Sequence, residues 1–332
     1  MNNLHETAEK LVATGKGLLA ADESVHTADK RLIEHNITTS SEMRRQYRNL
    51  FLAAPGIEQY LSGVIFFEET LGQAADDGTA FPSLLSEKGI IPGIKVDKGT
   101  EAMEESPDEL ITNGLIGLDE RLVSYRAQGA RFTKWRAVIR IDGDRLPSSQ
   151  ALLENAKRLA SYAHLAQEAG LVPVLEPEVL LEGNHSRLRA KEVITEALNA
   201  VFAAVDDQSV DRGALLIKTS MALSGSESGR TDTPEEVAES TLETLVAAIP
   251  ADVPGVVFLS GGQSSDQATD NLRAIARLAG EKNAPWPLTF SYARALQGEA
   301  LTAWQGKEDQ VAAAREIFLA RLVKVSAASQ GN

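Results

Sequence analysis

Lys218 lies in the run Gly213-Ala-Leu-Leu-Ile-Lys-Thr-Ser-Met221, which puts an ammonium at the end of an apolar stretch that reads as a buried strand. Burial and a cationic neighbour such as Lys134 favour the free amine, a nucleophile able to attack a carbonyl. A lone lysine at a strand end more commonly snorkels to solvent. The other charged residues of the chain weigh against that reading here. Lys134 and Arg136 stand two apart, as do Glu176 and Glu178, so each pair faces one side of an extended segment. Asp22, Lys95 and Asp97, Ser291 and Arg294 likewise stand at the ends of apolar runs. Lysines, arginines and carboxylates converging in one cleft are costly unless they bind charge and tune one another, and in such a set Glu176 would move protons. Ser260-Gly-Gly-Gln-Ser264 places bare glycines between a strand and a helix, where backbone N–H groups can meet a phosphate. A glycine pair alone is more often a tight turn; Arg294 nearby strengthens the phosphate reading.

Strands are expected at 17–22, 63–67, 91–97, 132–141, 171–178, 214–221, 255–262 and 288–292. The clearest helical patterns cover 148–169, 190–205, 233–249, 265–278 and 308–325, several opening on good caps such as Thr233-Pro-Glu-Glu. Eight strands alternating with helices predict an α/β fold, a (β/α)8 TIM barrel, over 1–332 as one domain with a short N-terminal helical extension and a C-terminal helix. No glycine-rich dinucleotide fingerprint follows the first strand, which weakens the doubly wound alternative. In a barrel the C-terminal strand ends share one mouth, so these charged residues become active-site candidates together.

The chain has 332 residues, is 43% hydrophobic and carries a formal net charge of -14, which argues against nucleic acid as its main partner. No apolar run suggests a membrane helix and the first residues lack a secretory apolar core, so a cytoplasmic protein without a membrane partner is expected. With no cysteine, thiol catalysis and disulfides are excluded. His5, His26, His35, His164 and His185 form no ligand pair at helical spacing, so no metal site is expected. The acidic runs 101–105 and 233–236 read as solvated surface or first-turn charges, and Trp135 and Tyr292 as packing groups.

The motifs Gly17-Leu-Leu-Ala-Ala-Asp-Glu-Ser24, Gly93-Ile-Lys-Val-Asp-Lys-Gly99, Lys134-Trp-Arg136, Val174-Leu-Glu-Pro-Glu178, Leu216-Ile-Lys218, Phe258-Leu-Ser-Gly-Gly-Gln-Ser264 and Leu288-Thr-Phe-Ser-Tyr292 with Arg294 occur in the order in which they stand in one family. The chain resembles the class I fructose-bisphosphate aldolases almost from end to end. The resemblance implies a barrel enzyme that cleaves fructose 1,6-bisphosphate to dihydroxyacetone phosphate and glyceraldehyde 3-phosphate through a lysine Schiff base, with no metal and no cofactor. It implies Lys218 as the imine-forming lysine and Glu176 as the acid/base. Asp22 matches the carboxylate near the C4 hydroxyl, Lys134 supports charge handling, Glu178 organises the site, and Arg136 is implied as a substrate-binding residue. Ser260, Gly261, Ser291 and Arg294, with Gly262 extending the loop, resemble the site of the C1 phosphate. Ser24, Arg31 and Lys95 resemble the other end of the sugar phosphate, with Thr27 where a hydroxyl fits. The family's habit implies a homo-oligomer.

Three departures stand out. No tyrosine lies near the end of the sequence, where many members carry one that takes part in proton exchange; Ala293 replaces a usual glycine, where a Cβ is expected to crowd the approach of phosphate; and Thr219 replaces a proline common after the lysine. They leave two other readings beside the lyase: a sugar-phosphate-binding scaffold with weak or altered activity, and Schiff-base chemistry on another phosphorylated ketose.

Overall fold

The computed structural model describes residues 4–332. Its strands are β1 (Gly17–Ala21), β2 (Leu61–Phe66), β3 (Ile91–Lys95), β4 (Thr100–Ala102), β5 (Leu110–Thr112), β6 (Phe132–Ile139), β7 (Val172–Val179), β8 (Leu216–Thr219), β9 (Val256–Phe258) and β10 (Leu288–Tyr292). Its helices are α1 (Leu4–Leu11), α2 (Val25–Glu34), α3 (Ser41–Leu52), α4 (Glu68–Leu71), α5 (Phe81–Glu87), α6 (Leu118–Ala127), α7 (Ser149–Glu168), α8 (Arg187–Asp207), α9 (Pro234–Ala248), α10 (Ser265–Glu281), α11 (Arg294–Trp304) and α12 (Val311–Ala328). Eight strands close into a parallel barrel in the order β1-β10-β9-β8-β7-β6-β3-β2, all eight at the places the apolar runs predict. The eight-stranded barrel of the sequence reading is therefore the observed fold.

Alternation along each strand divides the inner from the outer face. On β6, Trp135 turns outward and stacks on Tyr162 of α7 at 5.5 Å between ring centroids, while Lys134 and Arg136 line the lumen. Both Trp135 and Tyr292 are fully buried packing groups. The lower barrel is apolar: Leu18, Ile65, Phe132, Val172, Val174, Leu216 and Val257 form one cluster, onto which α1 and the residue after it bring Ala8, Leu11 and Val12. The N-terminal extension is thus a plug under the barrel. A Cβ on Gly255 would lie 2.8 Å from the Val12 side chain, so a bare backbone is needed where the plug meets the barrel. Each large apolar side chain buried there stabilises the closed barrel by about 1.5–3 kcal/mol.

Two local features differ from the sequence reading. Residues 100–102 and 110–112 pair as a short antiparallel hairpin, β4 with β5, whose first strand overlaps the acidic run 101–105 read as solvated surface. Three-residue strands with one exposed edge leave no alternation to detect. The ladder also stops earlier than the apolar runs at β9, which ends at Phe258, because Leu259 to Ser264 leave the sheet to form the turn that starts α10. In α9 the cap reads as expected: the Thr233 hydroxyl accepts from Glu236 N and the Glu236 carboxylate accepts from Thr233 N.

Candidate active site

A cavity of about 630 Å³ opens at the C-terminal ends of the barrel strands. Asp22, Ser24, Thr27, Arg31, Lys95, Lys134, Arg136, Glu176, Glu178, Lys218, Ser260, Gly261, Ser291 and Arg294 all line it. Among the residues singled out from sequence, Gly262 alone lies off the wall. Its φ of +76° and the 2.7 Å between a Cβ built there and Leu181 show that the turn itself requires this glycine. Gly261 does face the cavity, and a Cβ on it would come within 3.3 Å of Glu178 Oε1.

Four buried charges form an alternating chain across the floor. Asp22 Oδ2 is 2.7 Å from Lys134 Nζ, Lys134 Nζ is 2.9 Å from Glu176 Oε2, and Glu176 Oε1 is 2.9 Å from Lys218 Nζ. Lys134, Glu176 and Lys218 are each at most 4% exposed. Alternation of sign makes burial tolerable, since each ammonium faces a carboxylate. Burial alone would raise the Asp22 carboxyl, yet Lys134 and then Lys218 pull it far below the usual carboxylate range. Glu176 is likewise lowered: burial opposes ionisation, and Lys134, Lys218 and Arg136 together outweigh it. Lys134 moves the other way, since burial disfavours its charge but Asp22, Glu176 and Asp97 raise it well above an ordinary lysine. The neighbour that faces the Lys218 ammonium is therefore the Glu176 carboxylate. Lys134, the cationic neighbour expected from sequence, contacts the other oxygen of the same carboxylate.

Around this chain the remaining charges of the cavity, Arg294 excepted, are clamped in pairs. Arg136 Nε donates to Glu178 Oε2, and Lys95 is held by Asp97, whose second oxygen accepts from Arg136 N at 3.2 Å. Seven cationic side chains and six carboxylates line the cavity, so it is net positive inside a chain of net charge -14. Of those seven cations, Arg294 is the one without a carboxylate partner among the described residues. Ser291 Oγ, three residues before it and fully buried, finds no hydrogen-bond partner there either. An unpaired guanidinium beside an unsatisfied buried hydroxyl suits an anion. Ala293 between them has φ −107°, outside the left-handed region, and its side chain forms part of the wall.

Sequence reasoning left Glu23 and Lys98 unassigned although both line the cavity. Lys98 pairs with Glu68 from α4, and Glu23 with Arg31 and Arg48. Their position next to Asp22 and Asp97 was the available signal, but adjacent residues on an extended chain point opposite ways and only tertiary packing turns both toward one space. No group of three or more His, Asp or Glu among the described residues is arranged to hold a metal.

The family model described as fructose-bisphosphate aldolase class-I matches residues 3–332. The chain is 47% identical over 330 residues to the cytoplasmic isozyme of fructose-bisphosphate aldolase of Spinacia oleracea, covering 99% of this chain and 91% of the relative. It is 46% identical over 331 residues to the fructose-bisphosphate aldolase of Drosophila melanogaster, with the same coverage. Among solved structures it is similar to the Plasmodium falciparum aldolase in complex with TRAP and a small-molecule inhibitor, with TM-score 0.96, 43% identity and coverage of 99% and 94%.

Proposed function

The chain belongs to the class I fructose-bisphosphate aldolase family, and from that premise we propose how its own residues divide the Schiff-base cleavage of fructose 1,6-bisphosphate. The observation that carries the assignment is the contact of Lys218 with Glu176 at the end of the alternating chain. Glu176 Oε1 takes a proton from the Lys218 ammonium, the freed amine attacks the C2 ketone, and one of its two remaining protons passes to the former ketone oxygen to give the carbinolamine. The protonated Glu176 then gives that proton to the carbinolamine hydroxyl, which leaves as water, and an iminium remains on Lys218. Glu176 is again a carboxylate. Asp22, kept ionised by Lys134 and Lys218, holds the C4 hydroxyl while Glu176 accepts its proton. The C3–C4 bond breaks, glyceraldehyde 3-phosphate departs, and the electron pair flows into an enamine on Lys218. Protonation at C3 and hydrolysis release dihydroxyacetone phosphate and restore the amine.

Lys134 stays charged throughout and keeps both carboxylates oriented. Glu178 fixes Arg136 at the cavity edge. The free Arg294 guanidinium and the unsatisfied Ser291 hydroxyl, with Ser260, Gly261 and the turn held by Gly262, support a site for the C1 phosphate. Ser24, Thr27, Arg31 and Lys95 support a site for the phosphate at the far end. The Ser24 hydroxyl caps α2, accepting from Thr27 N at 3.3 Å, so an anion there also meets a helix N-terminus. We take residues 1–332 as one barrel domain working as a homo-oligomer in the cytoplasm; cytosolic and cytoplasmic plant relatives support that location, and no helix among the described residues is long and apolar enough to cross a membrane.

The test is to incubate the protein with fructose 1,6-bisphosphate and a chelator, reduce with borohydride, and map the adduct by mass spectrometry. A dihydroxyacetone phosphate adduct on Lys218 with release of triose phosphate is expected, and no adduct with Lys218→Met. Binding without adduct or cleavage would instead favour the scaffold reading.

A further inference from the structure

At the cavity wall Arg31 is tied into a buried polar cluster whose other members the reaction as described does not use. Arg31 Nη1 donates to Glu23 Oε1, to Gln297 Oε1 at 3.0 Å and to Tyr47 Oη at 3.4 Å. Tyr47 Oη itself donates to Gln297 Oε1 at 3.1 Å. Arg48 holds the opposite oxygen of Glu23 and also donates to the Glu23 carbonyl at 3.1 Å. Gln297 is 1% exposed and Tyr47 fully buried. All the contacts of Arg31 thus fall on one nitrogen, while its Nε and Nη2 make no hydrogen bond to the described residues, and the side chain lines the cavity. A guanidinium gripped on one side presents its other edge as a two-pronged donor, the geometry that binds phosphate in a fixed orientation.

Gln297 has a second property. It lies in α11 one turn after Arg294, and its Nε2 reaches the Ala20 carbonyl at the end of β1 at 3.5 Å. One amide therefore joins the helix that begins at Arg294 to the α2 residue at the other end of the cavity. Its cost of burial is met because both its oxygen and its nitrogen have partners. An apolar residue could fill the same volume but would release both Arg31 and Tyr47, so the amide at this place holds Arg31 as well as completing the core.

We infer that Gln297 is a positioning residue that, through Arg31, sets the preference for a ketose bisphosphate over a ketose carrying only the C1 phosphate. The inference rests on the reading of Arg31 as a ligand of the phosphate far from C1. Without the amide oxygen, Arg31 keeps its charge but loses the grip that aims its free edge, so the loss falls on the substrate that has a second phosphate.

The experiment compares kcat/KM for fructose 1,6-bisphosphate and fructose 1-phosphate in the unaltered protein, Gln297→Leu, Tyr47→Phe and Arg31→Met. Gln297→Leu is expected to lower the bisphosphate to monophosphate ratio about tenfold, chiefly through KM, and Tyr47→Phe, which removes only a hydroxyl and stands in if the leucine variant does not fold, about threefold. Arg31→Met should lower the ratio more than either. If Arg31→Met lowers the ratio while Gln297→Leu and Tyr47→Phe leave it unchanged, or lower both substrates equally, Gln297 is a packing residue and the inference fails with the Arg31 reading intact. If Arg31→Met leaves the ratio unchanged, the reading of Arg31 fails and the inference with it.

Discussion

Glu176 touches two ammonium groups with two different oxygens, and this fixes what its removal should do. Oε1 faces Lys218 and Oε2 faces Lys134, although the Lys134 contact is not aligned as a hydrogen bond and leaves Oε2 open to a donor. A glutamine keeps the shape but cannot carry a proton between the amine and the departing water. Glu176→Gln is therefore expected to lower kcat by about 10²–10⁴-fold, the usual weight of a placed acid or base. Borohydride trapping at Lys218 should slow in parallel, because the same proton transfers precede the imine. Normal trapping with impaired cleavage would remove Glu176 from imine formation and leave it only the later step.

At the scale of the elements, the barrel holds its charged floor in place by an apolar layer beneath it. Phe132, two residues before Lys134 on β6, fills the lower lumen by using space that β3 leaves free. A Cβ on Gly93 would stand 2.3–2.5 Å from three carbons of the Phe132 ring. That is far inside van der Waals contact, so Gly93→Ala must push the ring or separate β3 from β6, which pair from Gly93 with Phe132 to Lys95 with Lys134. A loss of about 1–3 kcal/mol is expected from such overpacking, read as a lower urea midpoint with unchanged slope. Adding Phe132→Leu should recover part of it. A Gly93→Ala protein as stable as the parent would show that the ring does not occupy that space. Because Lys95 and Lys134 sit two register positions above in the same strand pair, the same variant should also weaken catalysis.

For the whole molecule, the alternating chain makes stability depend on pH in a defined sense. Asp22 and Glu176 have folded values below their ordinary 3.8 and 4.5, so their contribution is complete above those ordinary values. It is lost as pH falls through the lowered folded values. Lys134 is raised above its ordinary 10.5, so its contribution is complete below that value and is lost only as pH rises through the folded one. The site therefore adds its full stability between about pH 5 and 10 and weakens in acid. Urea midpoints followed by tryptophan fluorescence should be flatter in that window and fall below it. A Glu176→Gln, Lys218→Met double variant, which removes one carboxylate together with its partner ammonium, should show a shallower acid limb. An acid limb as steep as the parent's would place the responsible groups elsewhere. The protein as a whole is acidic, while the strand-end cavity is lined by one more cation than carboxylates, a local balance that suits an anionic sugar phosphate.

Lys218, Lys134 with Arg136, Glu176 with Glu178, and the Ser260 turn were legible in the sequence because strand periodicity is local: residues two apart share a face, and eight apolar runs separated by helical patterns close in few ways. The same locality explains what sequence left open. Which carboxylate faces which ammonium is set by the barrel's register, and so Lys134 and Lys218 meet the two oxygens of one carboxylate, Glu176. The plug function of α1 and the short β4–β5 hairpin depend on what they pack against. The joining of Gln297, Tyr47, Glu23 and Arg31 brings together positions up to 274 residues apart in sequence. No periodicity carries that information. Local patterning thus determined the elements and the kinds of charge at their ends, while closure of the barrel decided their partners, because ion pairing and hydrogen bonding act over a few ångströms and only the folded chain sets those distances.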